Sequence, residues 1–168
     1  MKHFYLILAL LFLLACSKTK SGAKANQANL YDVITTSQSG FDSKMATQLG
    51  SDQYGMKSYV MAFLKAGPNR SQDSVTVAQL QKGHLENINR MAESGKLVLA
   101  GPFMDKGEIR GIYIFNVSSI EEAQALTATD PAIQAGRLAM ELHPWYGSAA
   151  LPLITPLHKR LEQKNVAD

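Results

Sequence analysis

"KLVLAGPFMDKGEIRGIYIFNV", residues 96–117, holds two apolar runs, 96–103 and 108–117, parted by Asp105-Lys106-Gly107. Asp and Gly favour turns, the one through its short side chain and the other through its free backbone, so the runs read as the two strands of a hairpin. On the N-terminal side, Leu80, His84, Ile88 and Met91 recur at helical spacing up to Gly95. Thr76 and Gln79 have capping-box spacing, which predicts a helix that opens there and stops at Gly95. Further upstream, "KSYVMAFLK" (57–65) is a strand candidate ended by Gly67-Pro68. On the C-terminal side, Ser119 and Glu122 form another capping box, for a helix ending near Thr129. Asp130-Pro131 combines an N-cap residue with proline at the first helical position and opens one more turn, closed by Gly136. "RLAMELHPWY" (137–146) is the fourth strand.

The order is β-α-β-β-α-β, an α+β domain of the ferredoxin-like, split-βαβ kind. Its strands are apolar on both sides. Tyr59, Met61 and Phe63 alternate with Val60, Ala62 and Leu64; Ile112 and Ile114 alternate with Tyr113, Phe115 and Val117. Two helices cover one face of a four-stranded sheet, so the other face is expected to be buried by a second copy of it. Only the fourth strand offers a polar side, Arg137, Glu141 and His143.

The chain has 168 residues and 46% hydrophobic composition, enough for one packed domain with extensions. Four of its 17 basic residues (Lys2, Lys18, Lys20, Lys24) and none of its 14 acids precede Leu30, which leaves 13 basic against 14 acidic residues in the body. The overall charge of +3 therefore belongs to the N-terminal arm, and a nucleic-acid footprint is absent. Cys16 is the single cysteine, so neither an internal disulfide nor a cysteine-ligand zinc site is available.

After Met1-Lys2-His3 comes "FYLILALLFLLA", twelve apolar residues ending at Ala15. Such a run is short of the roughly 20 residues that span a bilayer and fits the apolar region of a secretory signal. With Leu13, Ala15 and Cys16 it resembles the bacterial lipoprotein signal, although Leu14 is bulkier than the usual middle residue. That resemblance implies a lipid on Cys16, which would become the mature N-terminus. Because one acyl chain binds a membrane only marginally, several would be needed. Ser17 is not the Asp that commonly retains such proteins in the inner membrane. The expected location is the bacterial cell envelope, anchored by lipid in the outer membrane and facing the periplasm. The expected organisation is a signal peptide over 1–15, a lipidated N-terminus and tether over 16–29, and an extension over 30–55. The main domain follows over 56–146 and a C-terminal tail over 147–168. Within the extension, Phe41, Met45 and Leu49 before Gly50 predict a short amphipathic helix. Thr155-Pro156 is a candidate start for another in the tail, where no chemistry is evident.

From about Lys57 to Tyr146 the chain resembles the YciI-like (YCII-related) family. The resemblance rests on "GHLENINRMAESGKLVLAGP" and "EEAQALTATDPAIQAG", and within them on His84, Gly95-Lys96-Leu97, Ala100-Gly101-Pro102 and Asp130-Pro131. It implies a dimeric α/β barrel of ferredoxin-like subunits and a small pocket with a catalytic His–Asp pair, here His84 and Asp130. Some relatives act as dehydrochlorinases on chlorinated hydroquinones, and the wider superfamily includes muconolactone isomerases. Relatives often carry Arg or His three residues before the motif histidine, where this chain has Gln81. Arg70, Arg90 or Arg137 would then supply a cation for an anionic substrate.

His84 on an apolar stripe is either a satisfied core histidine or a base whose pKa near neutrality suits proton transfer. In the second case Asp130 orients the ring, the two side chains lie within hydrogen-bond reach, and His84 stays partly open to solvent, unlike Leu80 and Ile88. Asp130 is equally explained as a helix cap. His143 lines the pocket or joins a salt-bridged rim, and the surface preference of charged groups favours the rim. Arg90, Arg137 and His143 are the candidate substrate-binding residues. No metal-type cluster, phosphate loop or nucleophile elbow is found, so no cofactor is expected. Tyr113, Trp145 and Tyr146 read as core or interface aromatics. Two functions stay open. One is an enzyme, a lyase or isomerase acting on a small cyclic or aromatic molecule. The other is a non-catalytic, ligand-binding envelope lipoprotein.

Overall fold

A computed structural model describes residues 40–167 of the chain. The signal-like run, Cys16, the tether and the first part of the N-terminal extension lie outside the described residues. Within them, α1 (Ser43–Leu49) is followed by β1 (Met56–Ala66), α2 (Ser74–Glu93), β2 (Leu97–Pro102) and β3 (Ile109–Phe115). Then come α3 (Ile120–Thr127), α4 (Pro131–Gln134), β4 (Leu138–Ser148), a 3-10 turn (Leu151–Leu153) and α5 (Ile154–His158). The strands form one antiparallel sheet in the order β2-β3-β1-β4, which is the ferredoxin-like order. The 96–117 hairpin is present as β2 and β3, and Phe103 N–H donates to Arg110 O across its end.

Side-chain alternation splits the sheet into two apolar faces. Val60, Ala62 and Leu64 of β1, Tyr113 and Phe115 of β3, and Leu138, Met140 and Leu142 of β4 form the core with Ile88 and Met91 of α2 and Ala123 of α3. Tyr113 and Phe115 meet edge to face at 5.6 Å. The opposite face carries Tyr59, Met61, Val98, Leu99, Ile114 and Trp145, and Leu151 of the C-terminal segment packs on it. That face is therefore partly covered by the chain itself, an arrangement the helix count alone did not foresee. Met61, Phe63, Leu99 and Ile112 stay half-buried.

Two helix starts differ from expectation. α2 begins one turn before Thr76, because Asp73 is the N-cap and accepts from Thr76 N at 2.8 Å. Asp satisfies the free N–H groups of a first turn as well as Thr does, and it comes earlier in the chain. In α1, Asp42 caps by accepting from Met45 N, so Phe41 precedes the helix and is exposed, while Leu49 packs on Ala149 and Leu153. At α3 and α4 the expected caps are present: Ser119 accepts from Glu122 N and Asp130 from Ala132 N.

β4 begins at Leu138, so Arg137 belongs to the turn before it. The alternation that grouped Arg137 with Glu141 and His143 holds only inside a strand, and it does not extend to Arg137.

Candidate active site

His84 lies in the third turn of α2 and Asp130 at the N-terminus of α4, 46 residues apart in sequence. Gly83 brings them together. A Cβ at Gly83 would stand 3.0 Å from Pro131 Cγ, so only a bare backbone lets Pro131 rest directly on α2. Asp130, one residue back, then reaches the adjacent histidine. A second tie holds the loop before α4, where Thr129 Oγ1 donates to Asn87 Oδ1 at 3.0 Å, one turn along α2.

The pair is close: His84 Nδ1 and Asp130 Oδ2 are 2.6 Å apart. Asp130 is fully buried, at 0% exposure, and its Oδ1 accepts from Ala132 N at 2.8 Å. The carboxylate thus caps α4 with one oxygen and holds the imidazole with the other, so the capping and orienting roles coexist. A carboxylate only accepts, which puts the ring proton on Nδ1 and leaves the Nε2 lone pair on the far side. There Tyr113 Oη lies 3.3 Å from Nε2, and the two rings run nearly parallel at 19°. Burial, and after it the negative charge of Asp130, pushes the Tyr113 phenol far above its ordinary range. Its hydroxyl therefore keeps its proton and donates to Nε2.

His84 and Tyr113 border a cavity of about 590 Å³ between α2 and the sheet, within the usual size range of small-molecule sites. His84 and Tyr113 lie on its wall with Leu80, Leu85, Ile88 and Leu138; Gln81 adds a neutral amide, and Arg70, Arg110 and Arg137 add three cations. Val166, from the C-terminal end, contributes to one side, where Asn89 Nδ2 donates to Asn165 Oδ1 at 2.7 Å. Within the stretch expected as a C-terminal tail, Val166 thus contributes to the cavity wall.

The candidates from sequence separate. His84 and Arg137 line the cavity, and Asp130 is buried behind His84. Arg90 does not line it: its guanidinium donates to Asn87 Oδ1, and it borders a different groove with Lys82 and Asn165. His143 does not line it either. It lies on the opposite sheet face, pairs with Glu141 Oε1 at 2.8 Å and meets Phe63 edge-on. Glu141 in turn pairs with Lys65 at 2.5 Å, which makes this the salt-bridged rim. The expected order of exposure is reversed. His84 is only 8% exposed, whereas Leu80 and Ile88 are half-buried. The cavity removes packing from the leucine and isoleucine, while Asp130 and Tyr113 close over both edges of the imidazole.

Tyr113 and Arg110 are the residues that sequence reading missed. The alternation put Tyr113 on the side of Phe115, but which side faces α2 is not written in the alternation. Among the described residues no group of three or more His, Cys, Asp or Glu is placed to hold a metal ion.

The α+β fold, with a buried His–Asp pair beside a small cavity, agrees with what the resemblance to the YCII-related family implies. The profile of the YCII-related domain matches residues 59–145, and the chain belongs to that family. It is also similar to the Uncharacterized protein YjpA of Bacillus subtilis (strain 168), 30% identical over 63 residues, which cover 38% of this chain and 72% of that protein.

Proposed function

We propose that the cavity is a general acid–base site in which His84 takes a proton from a small cyclic or aromatic molecule, in an elimination or an isomerisation. The observation that carries this reading is the 2.6 Å Nδ1–Asp130 contact, which leaves Nε2 as the basic nitrogen, beside the hydroxyl of Tyr113. Substrate would displace the Tyr113 hydroxyl from Nε2. As the C–H proton passes to Nε2, the buried carboxylate stabilises the imidazolium. The Tyr113 O–H, kept protonated by its surroundings, then supplies a hydrogen-bond donor to charge developing on the substrate. In an elimination the C–H electron pair expels a leaving group. In an isomerisation the proton returns at another carbon.

The test is a turnover screen of candidate cyclic and aromatic substrates with wild type and His84→Gln. The variant should melt like wild type and lose about 10²–10⁴-fold in turnover. Equal turnover by the two would sink the reading. One observation favours the second function, ligand binding without catalysis: both ring nitrogens of His84 already have protein partners. Saturable ligand binding that His84→Gln leaves intact, with no turnover of any compound, would decide for it.

We further propose that two copies pair through the half-buried face of Met61, Phe63, Leu99 and Ile112 into the barrel implied by the family, and that a lipid on Cys16 anchors the chain in the outer membrane. The anchor is supported by the sequence pattern alone; no helix among the described residues is long and apolar enough to cross a membrane. Labelled palmitate should enter the wild type and not Cys16→Ser, and equal labelling of both would rule the anchor out.

A further inference from the structure

We infer that the cavity takes an organic carboxylate, with the anionic group held by Arg110, Arg70 and Arg137 and an apolar body lying along α2. The inference rests on reading the cavity as a ligand site, but not on His84 acting as a base.

Three separate elements bring arginines to the cavity wall. Arg70 follows β1, Arg110 lies in β3, and Arg137 sits in the turn before β4. The first and last are tied: Gly67 N–H donates to Arg137 O at 2.8 Å, and Arg70 Nη1 donates to the same carbonyl at 3.1 Å. Among the described residues their one side-chain partner is neutral, Gln72 Oε1 at 3.2 Å from Arg137 Nη1. Among the described residues no carboxylate lies within ion-pair distance of any of them and no acidic side chain lines the cavity.

A solvated arginine on a surface is ordinary, and Arg70 and Arg110 are exposed. The asymmetry here is not. The chain from Leu30 onward has 14 acids against 13 bases, and Lys65 of β1 is paired with Glu108 and Glu141, as Lys96, just before β2, is with Glu122. Three arginines thus line one concave surface that no acid of the described residues lines, and apolar walls strengthen the field in such a cleft. The guanidinium fork matches the two oxygens of a carboxylate. Leu80, Leu85 and Ile88 offer an apolar surface too large for a bare inorganic ion.

Calorimetric titration of the full-length chain in detergent tests this with benzoate and cyclohexanecarboxylate, their neutral amides, and inorganic phosphate. The carboxylates should bind about tenfold or more tightly than the amides, since charge-assisted pairs are lost with the charge. Arg110→Gln should weaken carboxylate binding about tenfold and leave amide binding and melting temperature unchanged. Arg70→Gln repeats the test at a second exposed position. Phosphate should bind more weakly than either carboxylate. Equal affinity for acid and amide, no saturable binding of either carboxylate, phosphate binding as tightly as both, or Arg variants that bind like wild type would each overturn the inference. His84→Gln separates it from the acid–base reading. Carboxylate preference kept in that variant, with no turnover by wild type, overturns only the chemistry. Turnover by the wild type together with equal affinity for acid and amide overturns only the anion site.

Discussion

Asp130 divides its two oxygens between a helix and a histidine, Oδ1 on Ala132 N and Oδ2 on His84 Nδ1. Asp130→Ala removes the cap and strands a buried imidazole N–H, and should cost about 2–4 kcal/mol of stability. Asp130→Asn keeps one acceptor for the cap and presents an amide N–H₂ to the ring, so it should cost about 1 kcal/mol or less. The same change reverses the tautomer, puts the proton on Nε2 and removes the base. Denaturant unfolding of the two variants, with nitrogen NMR of the histidine, checks this. Equal destabilisation with an unchanged tautomer would refute the divided role. Tyr113 and Tyr59 make a second residue-scale prediction. Burial raises both phenols, Tyr59 to about 12. Their folded values lie above the unfolded value of about 10, so the stability they add is complete below that pH. It is lost as pH rises through the folded values. Tyrosinate absorbance should therefore lag by two residues until the chain unfolds in alkali; smooth titration of every tyrosine in the folded state would contradict it.

At the scale of elements, α2 carries a glycine at its middle for a packing reason. An interior Gly costs about 0.8–1 kcal/mol relative to Ala, and Gly95 already ends the helix with φ 72°. Gly83 is explained by Pro131, which stands where a side chain would go. In Gly83→Ala the helix gain and the displacement of α4 oppose each other, so net stability should change by about 1 kcal/mol or less. The displacement itself moves Asp130 away from His84. Turnover of any substrate found should fall several-fold to about tenfold, because small misplacement of catalytic groups is costly. A variant with a raised melting temperature and full turnover would show that α4 adapts freely. Asp73 belongs to the same scale. Two polar residues were available to start α2, and the earlier one starts it.

For the whole molecule, the uncovered part of the sheet sets the expectation. Tyr59 and Ile114 are shielded where Leu151 packs, but Met61, Phe63, Leu99 and Ile112 remain half-buried beside the polar Lys65–Glu141–His143 rim. A contiguous apolar patch of this kind marks an interaction surface, and self-complementary pairing is the commonest solution. Sedimentation of the full-length chain in detergent should give the mass of two chains, and Phe63→Glu should give one. A wild-type monomer at micromolar concentration would mean that the C-terminal segment suffices as cover.

The element order, the hairpin, the caps at Ser119 and Asp130 and the doubly apolar strands were legible in the sequence, because turn chemistry, capping and alternation act over a few residues. The His84–Asp130 pair was legible only through its resemblance to a family, since nothing local relates positions 46 apart. Three matters were decided by the tertiary structure alone. Tyr113 joined the pair because packing chose which sheet face meets α2. Arg137 parted from Glu141 and His143 because the strand starts one residue later, at Leu138. Arg110 came to the cavity, and Arg90 to another groove, because long side chains on separate elements meet or diverge according to how those elements dock. Spacing along a chain fixes which residues share a face of one element; only the docking of several elements fixes which faces enclose a common space.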